Sequence, residues 1–240
     1  MVADQPTARL ERLAWPQVDG WGRTKLVVLP VGSVEQHGPH LPLDTDTRMA
    51  QSMADALAEA RSDVTVAPPI AYGSSGEHAH FAGTLSMGTP VLAAVLTELI
   101  RSARSSFAGV VVVSGHGGNA AALARAREVA EYEGDEVCIW SPTMPGTDAH
   151  AGRAETSILL AIAPELVRAE RAERGSTEPI TSIMGQLRSE GVRAVSQNGV
   201  LGDPTGATAE EGRRLLAAMV ADLCRAVEQW WGPVRRLATR

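Results

Sequence analysis

GVVVVSGHGGNAAALARAREVAEYEGDEVCIW (109–140) is the stretch whose reading decides the fold. GVVVVSG (109–115) is a β-branched apolar run closed by glycine, which reads as a strand buried on both faces. NAAALARAREVAEYEG (119–134) reads as a helix, with Gly134 as its stop. EVCIW (136–140) is the next strand. A strand, a helix and a strand in succession build a parallel pair with the helix packed across it.

The same alternation extends in both directions. LVVLPVG (26–32) is a buried strand, MAQSMADALAEA (49–60) a helix, and VTVAPPI (64–70) a strand cut short by Pro68 and Pro69. Thr89 as N-cap and Pro90 at the first helical position predict a helix to about Ser106. ETSILLAIA (155–163) is helical. Thr208 and Glu211 form a capping-box pattern that opens a last helix through Trp230. Residues 167–207 show no clear period beyond GVRAVSQNG (191–199), a short apolar-polar stretch. The expectation is an α/β chain, a mainly parallel sheet with helices on both faces, in one domain spanning 1–240.

Composition bounds the function. Formal net charge is −6, with 44% apolar and 21% charged residues, which fits a soluble globular protein and argues against nucleic acid or anionic membrane as partner. The N-terminal stretch MVADQPTARLERLAWPQ has no apolar core of a signal peptide, and no apolar run reaches membrane-spanning length. Cys138 and Cys224 lack metal-ligand spacing and read as core thiols in a reducing cytoplasm.

In open parallel sheets, ligands sit beyond the carboxyl ends of the strands. EQHGPHLPLDTD (35–46) follows the first strand and packs two His and three acidic residues together. Residues two apart in extended chain share a side, so Glu35 projects with His37, and Asp44 with Asp46. SGHGGN (114–119) places His116 just after the clearest strand. DAHAGRAETS (148–157) supplies His150 and Glu155, which face one site only if His150 precedes the helix. Mixed imidazole and carboxylate without Cys suits Zn, Mn or Fe(II) in an open, catalytic site. So many donors exceed what one catalytic zinc takes, which points to two divalent cations that activate water and polarise a carbonyl.

Each element has a plainer reading. Glu35 with His37 can be a hydrogen-bonded loop, and Asp44 or Asp46 can cap the helix that follows. GHGGN can be a nest for phosphate in a non-catalytic binding module. His150 can be an ordinary polar histidine. His78 and His80 read as loop or interface residues and His40 as structural. Three strand-end loops offering the same ligand chemistry favour the metal reading.

The chain also resembles the creatininase family of metal-dependent amidohydrolases over nearly its whole length. The resemblance rests on VGSVEQHGPHLPLDTDT (31–47), APPIAYGSSGEHAHFAGTLS (67–86), SGHGGN (114–119), DAHAGRAETS (148–157) and GVLGDPTGATAEEG (199–212), in that order. It implies a three-layer α/β/α fold, a dinuclear centre and a ring-like homo-oligomer. It further implies Glu35 and His116 on one metal, His37 on the other, Asp46 bridging, and His150 moving the proton at the scissile bond. Creatininase carries a metal-binding Glu two residues after the His of its Gly-His motif. Gly118 stands there in this chain, so Glu155 is expected as the replacement ligand. Ala82 stands where many relatives have proline. The GHGGN branch includes a formamide deformylase and the peptidases of the mycofactocin system. LERLAWPQV (10–18), DAHAGRAETS and the chain's end resemble the peptidases. The implied partner is a modified ribosomal precursor peptide, trimmed to release a fragment of its last Val and Tyr.

Overall fold

The computed structural model describes residues 9–143 and 146–238, with the side chains of the last helix as far as residue 232. The first eight residues of the stretch read as lacking a leader lie outside the described residues. Four strands form the sheet: β1 (Leu26–Val31), β2 (Val64–Val66), β3 (Gly109–Ser114) and β4 (Val137–Trp140). All pairings are parallel, in the order β2-β1-β3-β4. β1 and β3 run in register from Leu26 opposite Gly109 to Val31 opposite Ser114.

Helices α1 (Trp15–Asp19), α2 (Thr45–Ala60), α3 (Thr89–Ala103), α4 (Ala120–Glu133), α5 (Arg153–Ile162), α6 (Ile180–Glu190), α7 (Val192–Val195) and α8 (Ala209–Ala238) surround it. The pleat sends alternate side chains to opposite faces. Leu26, Val28, Val111 and Val113 pack with Met49, Met53 and Leu57 of α2, Ile158 and Leu159 of α5, and Leu223 and Val227 of α8. Val27, Leu29, Val31, Val110 and Val112 pack with Leu92, Leu96 and Ile100 of α3 and Leu123 and Ala126 of α4. The result is the three-layer α/β/α arrangement. Every residue of β1, β2 and β3 is buried, and β4 at the edge is partly so, so the central strands read as apolar runs without alternation.

α8 lays Met219, Leu223, Val227 and Trp231 against the core at four-residue spacing. Each such side chain stabilises the layer by about 1.5–3 kcal/mol. α8 also backs α5: the Glu211 carboxylate takes the Arg153 guanidinium at 2.8 Å and the Ser157 hydroxyl at 3.3 Å. That engagement leaves the capping box half made. The Glu211 amide donates to Thr208 Oγ1 at 3.2 Å, but the Thr208 amide donates to Ser157 Oγ. The helix runs past Trp230 to Ala238, and Trp231 sits in the core rather than at a helix end.

Other boundaries shift by small amounts. Gly88, with φ 77°, is the N-cap of α3, so Thr89 is already helical, and the helix stops at Ala103. Gly134 closes α4 in the left-handed conformation, as its position predicts. The segment without clear period holds α6 and α7, whose Ile183, Leu187 and Val192 gather with Leu201 and Phe81 in a separate small cluster. The GVRAV stretch is thus one short helix. Among the described residues no helix is long and apolar enough to cross a membrane.

Candidate metal centre

All four strands end at one edge of the sheet, and the segments leaving them converge there. After β1 the chain forms a compact loop: the Glu35 amide donates to Leu43 O, and the Leu41 amide to His37 O. Glu35 and His37 are fully buried by this path. α2 then starts at Thr45, which puts Asp46 in its first turn. β3 delivers His116 directly from its carboxyl end. The loop after β4 brings His150, which precedes α5 and pairs antiparallel with Leu201, while Glu155 follows in the first turn of α5.

Asp46 is central. One oxygen lies 3.2 Å from His37 Nε2 and the other 3.3 Å from His116 Nδ1, with Ser33 Oγ donating to the latter at 2.6 Å. Glu35 Oε2 is 3.1 Å from His116 Nε2, and Glu155 Oε2 is 3.9 Å from His37 Nε2. Two donor triads result, Glu35–Asp46–His116 and His37–Asp46–Glu155, sharing Asp46. A third grouping joins Glu35 and His37 to His150. His150 Nδ1 stands 3.8 Å from Glu35 Oε1, and its Nε2 donates to Gln36 O at 2.8 Å.

Both Glu35 oxygens are buried, and although His116 Nε2 and His78 Nε2 approach to 3.1 and 3.3 Å, no well-formed hydrogen bond reaches either oxygen. A buried carboxylate so poorly satisfied is costly, and a divalent cation is the partner that this cradle of imidazoles and carboxylates fits. Burial pushes Glu35 up to about 7, against the lowering pull of His116. Burial likewise raises Glu155 to about 7. Burial alone would lower His37 and His116, but the acids outweigh it. Asp46, Glu155 and Glu35 raise His37 to about 10, and Glu35, Asp46 and Glu77 raise His116 to about 10. Asp46 is held well below the usual carboxylate range, because His37 and His116 outweigh its burial. Burial, with His37 and His78 nearby, drives His150 far below its ordinary value. Protons thus occupy the two imidazoles beside Asp46 in the cation-free centre, and bound metal would replace them.

Some residues sit differently from their sequence reading. Asp44 and Asp46 do not project together: with α2 starting at Thr45, successive residues turn by about 100°. Asp44 points outward to Arg48 at 2.8 Å and makes no side-chain cap bond, and Asp46 faces the centre instead of capping. Asp44 touches no histidine there. His78, read as a loop residue, is buried inside the centre, its Nε2 3.3 Å from Glu35 Oε1. Burial lowers it to about 3. His80 is exposed, as expected of a loop histidine. His40 is fully buried and ties the loop to α5 through Thr156 Oγ1 at 2.8 Å.

Sequence reasoning passed over Glu77 and Gln36. Glu77 Oε1 is 3.5 Å from His116 Nε2 and fills the space above Gly118. Gln36 touches both His78 and His150. The available signal was GEHAH lying beyond the end of β2, the same strand-end rule that found the other loops. Beside the His150 loop, Asp148, Ala149, Ser176, Ile180 and Leu201 line an open cleft of about 460 Å³.

Residues 11–227 match the family described as creatininase, creatinine amidohydrolase. The chain belongs to the creatininase family. The family model spans every one of the converged His and carboxylate residues. A relative from Mycolicibacterium smegmatis named mycofactocin precursor peptide peptidase is 49% identical over 211 residues, covering 85% of each chain. A relative of the same name from Mycobacterium tuberculosis is 50% identical over 214 residues, again 85% of each. Creatinine amidohydrolase of Pseudomonas putida is 26% identical over 87% of this chain and 90% of its own. A solved structure of creatininase with Mn superposes with a TM-score of 0.78 at 23% identity, covering 93% of this chain and 98% of that one. Creatininase folds thus account for the three layers. The family places the SGHGGN loop in a hydrolase rather than in a phosphate-binding module.

Proposed function

We propose that this creatininase-family chain is a metal-dependent peptidase. Its substrate is a modified ribosomal precursor peptide in the mycofactocin system, and it releases a C-terminal fragment derived from Val and Tyr. The observation that carries the reading is the identity of about half the residues, over 85% of each chain, to relatives named mycofactocin precursor peptide peptidase. The two triads sharing Asp46 support it.

In this reading Glu35 and His116 would hold one divalent cation and His37 and Glu155 the other, with Asp46 shared between them. Zn, Fe(II) and Mn all suit such donors. When bound, the pair supplies Lewis-acid polarisation of the amide carbonyl and an acidified water. The chain's own residues do the rest. The buried carboxylates and imidazoles present donors already gathered at one place. The bare Nδ1 of His150 faces the centre, where it would take the proton released by the attacking water and pass it to the departing nitrogen as the C–N bond breaks. The chain works as one domain of a homo-oligomer in the cytoplasm.

The test is direct. Zinc-, manganese- and iron-loaded protein is incubated with the modified precursor peptide, and products are followed by mass spectrometry, with a formylamino-pyrimidine as control substrate. Release of the Val-Tyr-derived fragment is expected. Cleavage of the formamide alone would replace this reading with a deformylase.

A further inference from the structure

Gln36 lies between Glu35 and His37 and is buried, yet it is no metal donor. Its carboxamide is oriented without ambiguity. The Gly38 amide donates to Gln36 Oε1 at 2.8 Å, so the other end of the side chain is the NH₂ group. That group has two protons and two good acceptors: Gly199 O at 3.0 Å and His78 Nδ1 at 2.9 Å. His150 Nε2 is also near, at 3.1 Å, but the Gln36 main-chain carbonyl lies 2.8 Å from the same nitrogen. A carbonyl only accepts, so His150 Nε2 carries its proton there and leaves the amide to His78.

The consequences for the two rings are opposite. His78 accepts at Nδ1, so its proton is on Nε2, the atom 3.3 Å from Glu35 Oε1. His150 donates from Nε2, so its bare Nδ1 is the atom 3.8 Å from the same oxygen. The rings lie 4.4 Å apart between centroids and present a proton and a lone pair to one side of the centre. The amide is built in. A Cβ at Gly199, whose φ is +81°, would fall 1.9 Å from Gln36 Oε1.

We propose that Gln36 is a positioning residue that divides labour between two histidines, fixing His78 as a hydrogen-bond donor to the reacting centre and His150 as its proton acceptor. The side chain sets His78 and the main chain sets His150. What the acceptor does rests on the peptidase reading; the protonation pattern does not. His78 is thereby kept from ligating a cation, since Nδ1 is taken by Gln36 and Nε2 bears hydrogen.

The test uses the full chain, zinc-loaded and labelled with ¹⁵N-histidine, read by long-range ¹H–¹⁵N correlation. His78→Asn and His150→Asn variants assign the signals. In the unsubstituted protein both rings are expected with protonated Nε2 and bare Nδ1. In Gln36→Glu, which has no donor to offer, His78 Nδ1 gains a proton while His150 is unchanged. Zinc content stays at the unsubstituted level and turnover drops by about tenfold or more. His78 protonated on Nδ1 in the unsubstituted protein, or signals of His78 unmoved by Gln36→Glu, overturns the proposal. The first measurement needs no variant to fold. An unsubstituted protein with the expected pattern but inert toward the peptide defeats the peptidase reading and leaves this one standing.

Discussion

Glu77 and Gly118 occupy one volume: a Cβ on residue 118 would lie 2.4 Å from Glu77 Oε1, and equally close to His116 Nε2. The 76–78 turn can bring its acid to His116 only because the loop after β3 has no side chain there. Gly118→Ala must displace Glu77, the His116 ring or the Ser74 carbonyl. Zinc affinity measured by calorimetry is expected to weaken by about tenfold or more. Unchanged affinity would mean that the turn yields and His116 stays put.

Asp46 is the residue both triads share, and it is 2% exposed. Asp46→Asn leaves His37 and His116 without their common counter-charge. Breaking such a buried pairing costs about 3–5 kcal/mol. Denaturant unfolding of the cation-free protein near pH 7 is expected to show that loss, and elemental analysis a loss of metal from both halves of the centre. Retention of half the metal would remove Asp46 from the bridging role.

Metal binding has a predictable pH dependence. His37 and His116 keep protons up to about pH 10 in the cation-free centre, and Glu35 and Glu155 up to about pH 7. A cation needs all of these protons gone, so its affinity rises with pH throughout the range below 10. The slope is about one log unit per pH unit for each proton released. Zinc titrations at pH 6, 7 and 8 in two buffers of different ionisation enthalpy measure both the slope and the released protons. A flat profile would contradict the crowding of protons around Asp46.

His150 donates to main chain at one nitrogen and faces the centre with the other. His150→Ala is expected to keep its metal and lose about 10²–10⁴-fold in turnover on the peptide. Loss of metal together with activity would make it a ligand, through the grouping with Glu35 and His37.

Asp44 serves as the negative control. It is 42% exposed and pairs with Arg48 one turn along α2. Asp44→Ala is expected to shift stability by less than about 0.5 kcal/mol and to leave metal content and turnover as they were.

The sheet and its layers were legible because strands buried on both faces are written as uninterrupted Val, Leu and Ile runs, and the helices between them carry clear stops such as Gly134. Glu35, His37, His116 and His150 could be placed at the edge by one topological rule. What the rule could not see was rotation. Whether Asp44 or Asp46 faces inward depends on α2 beginning at Thr45, a boundary that local preference sets only to within a residue or two. His78 and Glu77 were hidden for another reason: β2 is three residues long, and Pro68 and Pro69 just beyond it blur where the strand ends. Gln36 carries no chemistry that marks it in advance, and its role emerges only when four loops meet around its amide.

Glu155 rides on α5, and α5 rests on α8, which follows it by some fifty residues. Until α8 has emerged and folded, the segment bearing Glu155 lacks its main support, because the acid that holds Arg153 and Ser157 is Glu211. A nascent chain can therefore carry most of the metal-gripping side chains and still be unable to close on an ion. A chain cut before Glu211 would carry the first strands and most of the candidate ligands and still leave Glu155 without its backing.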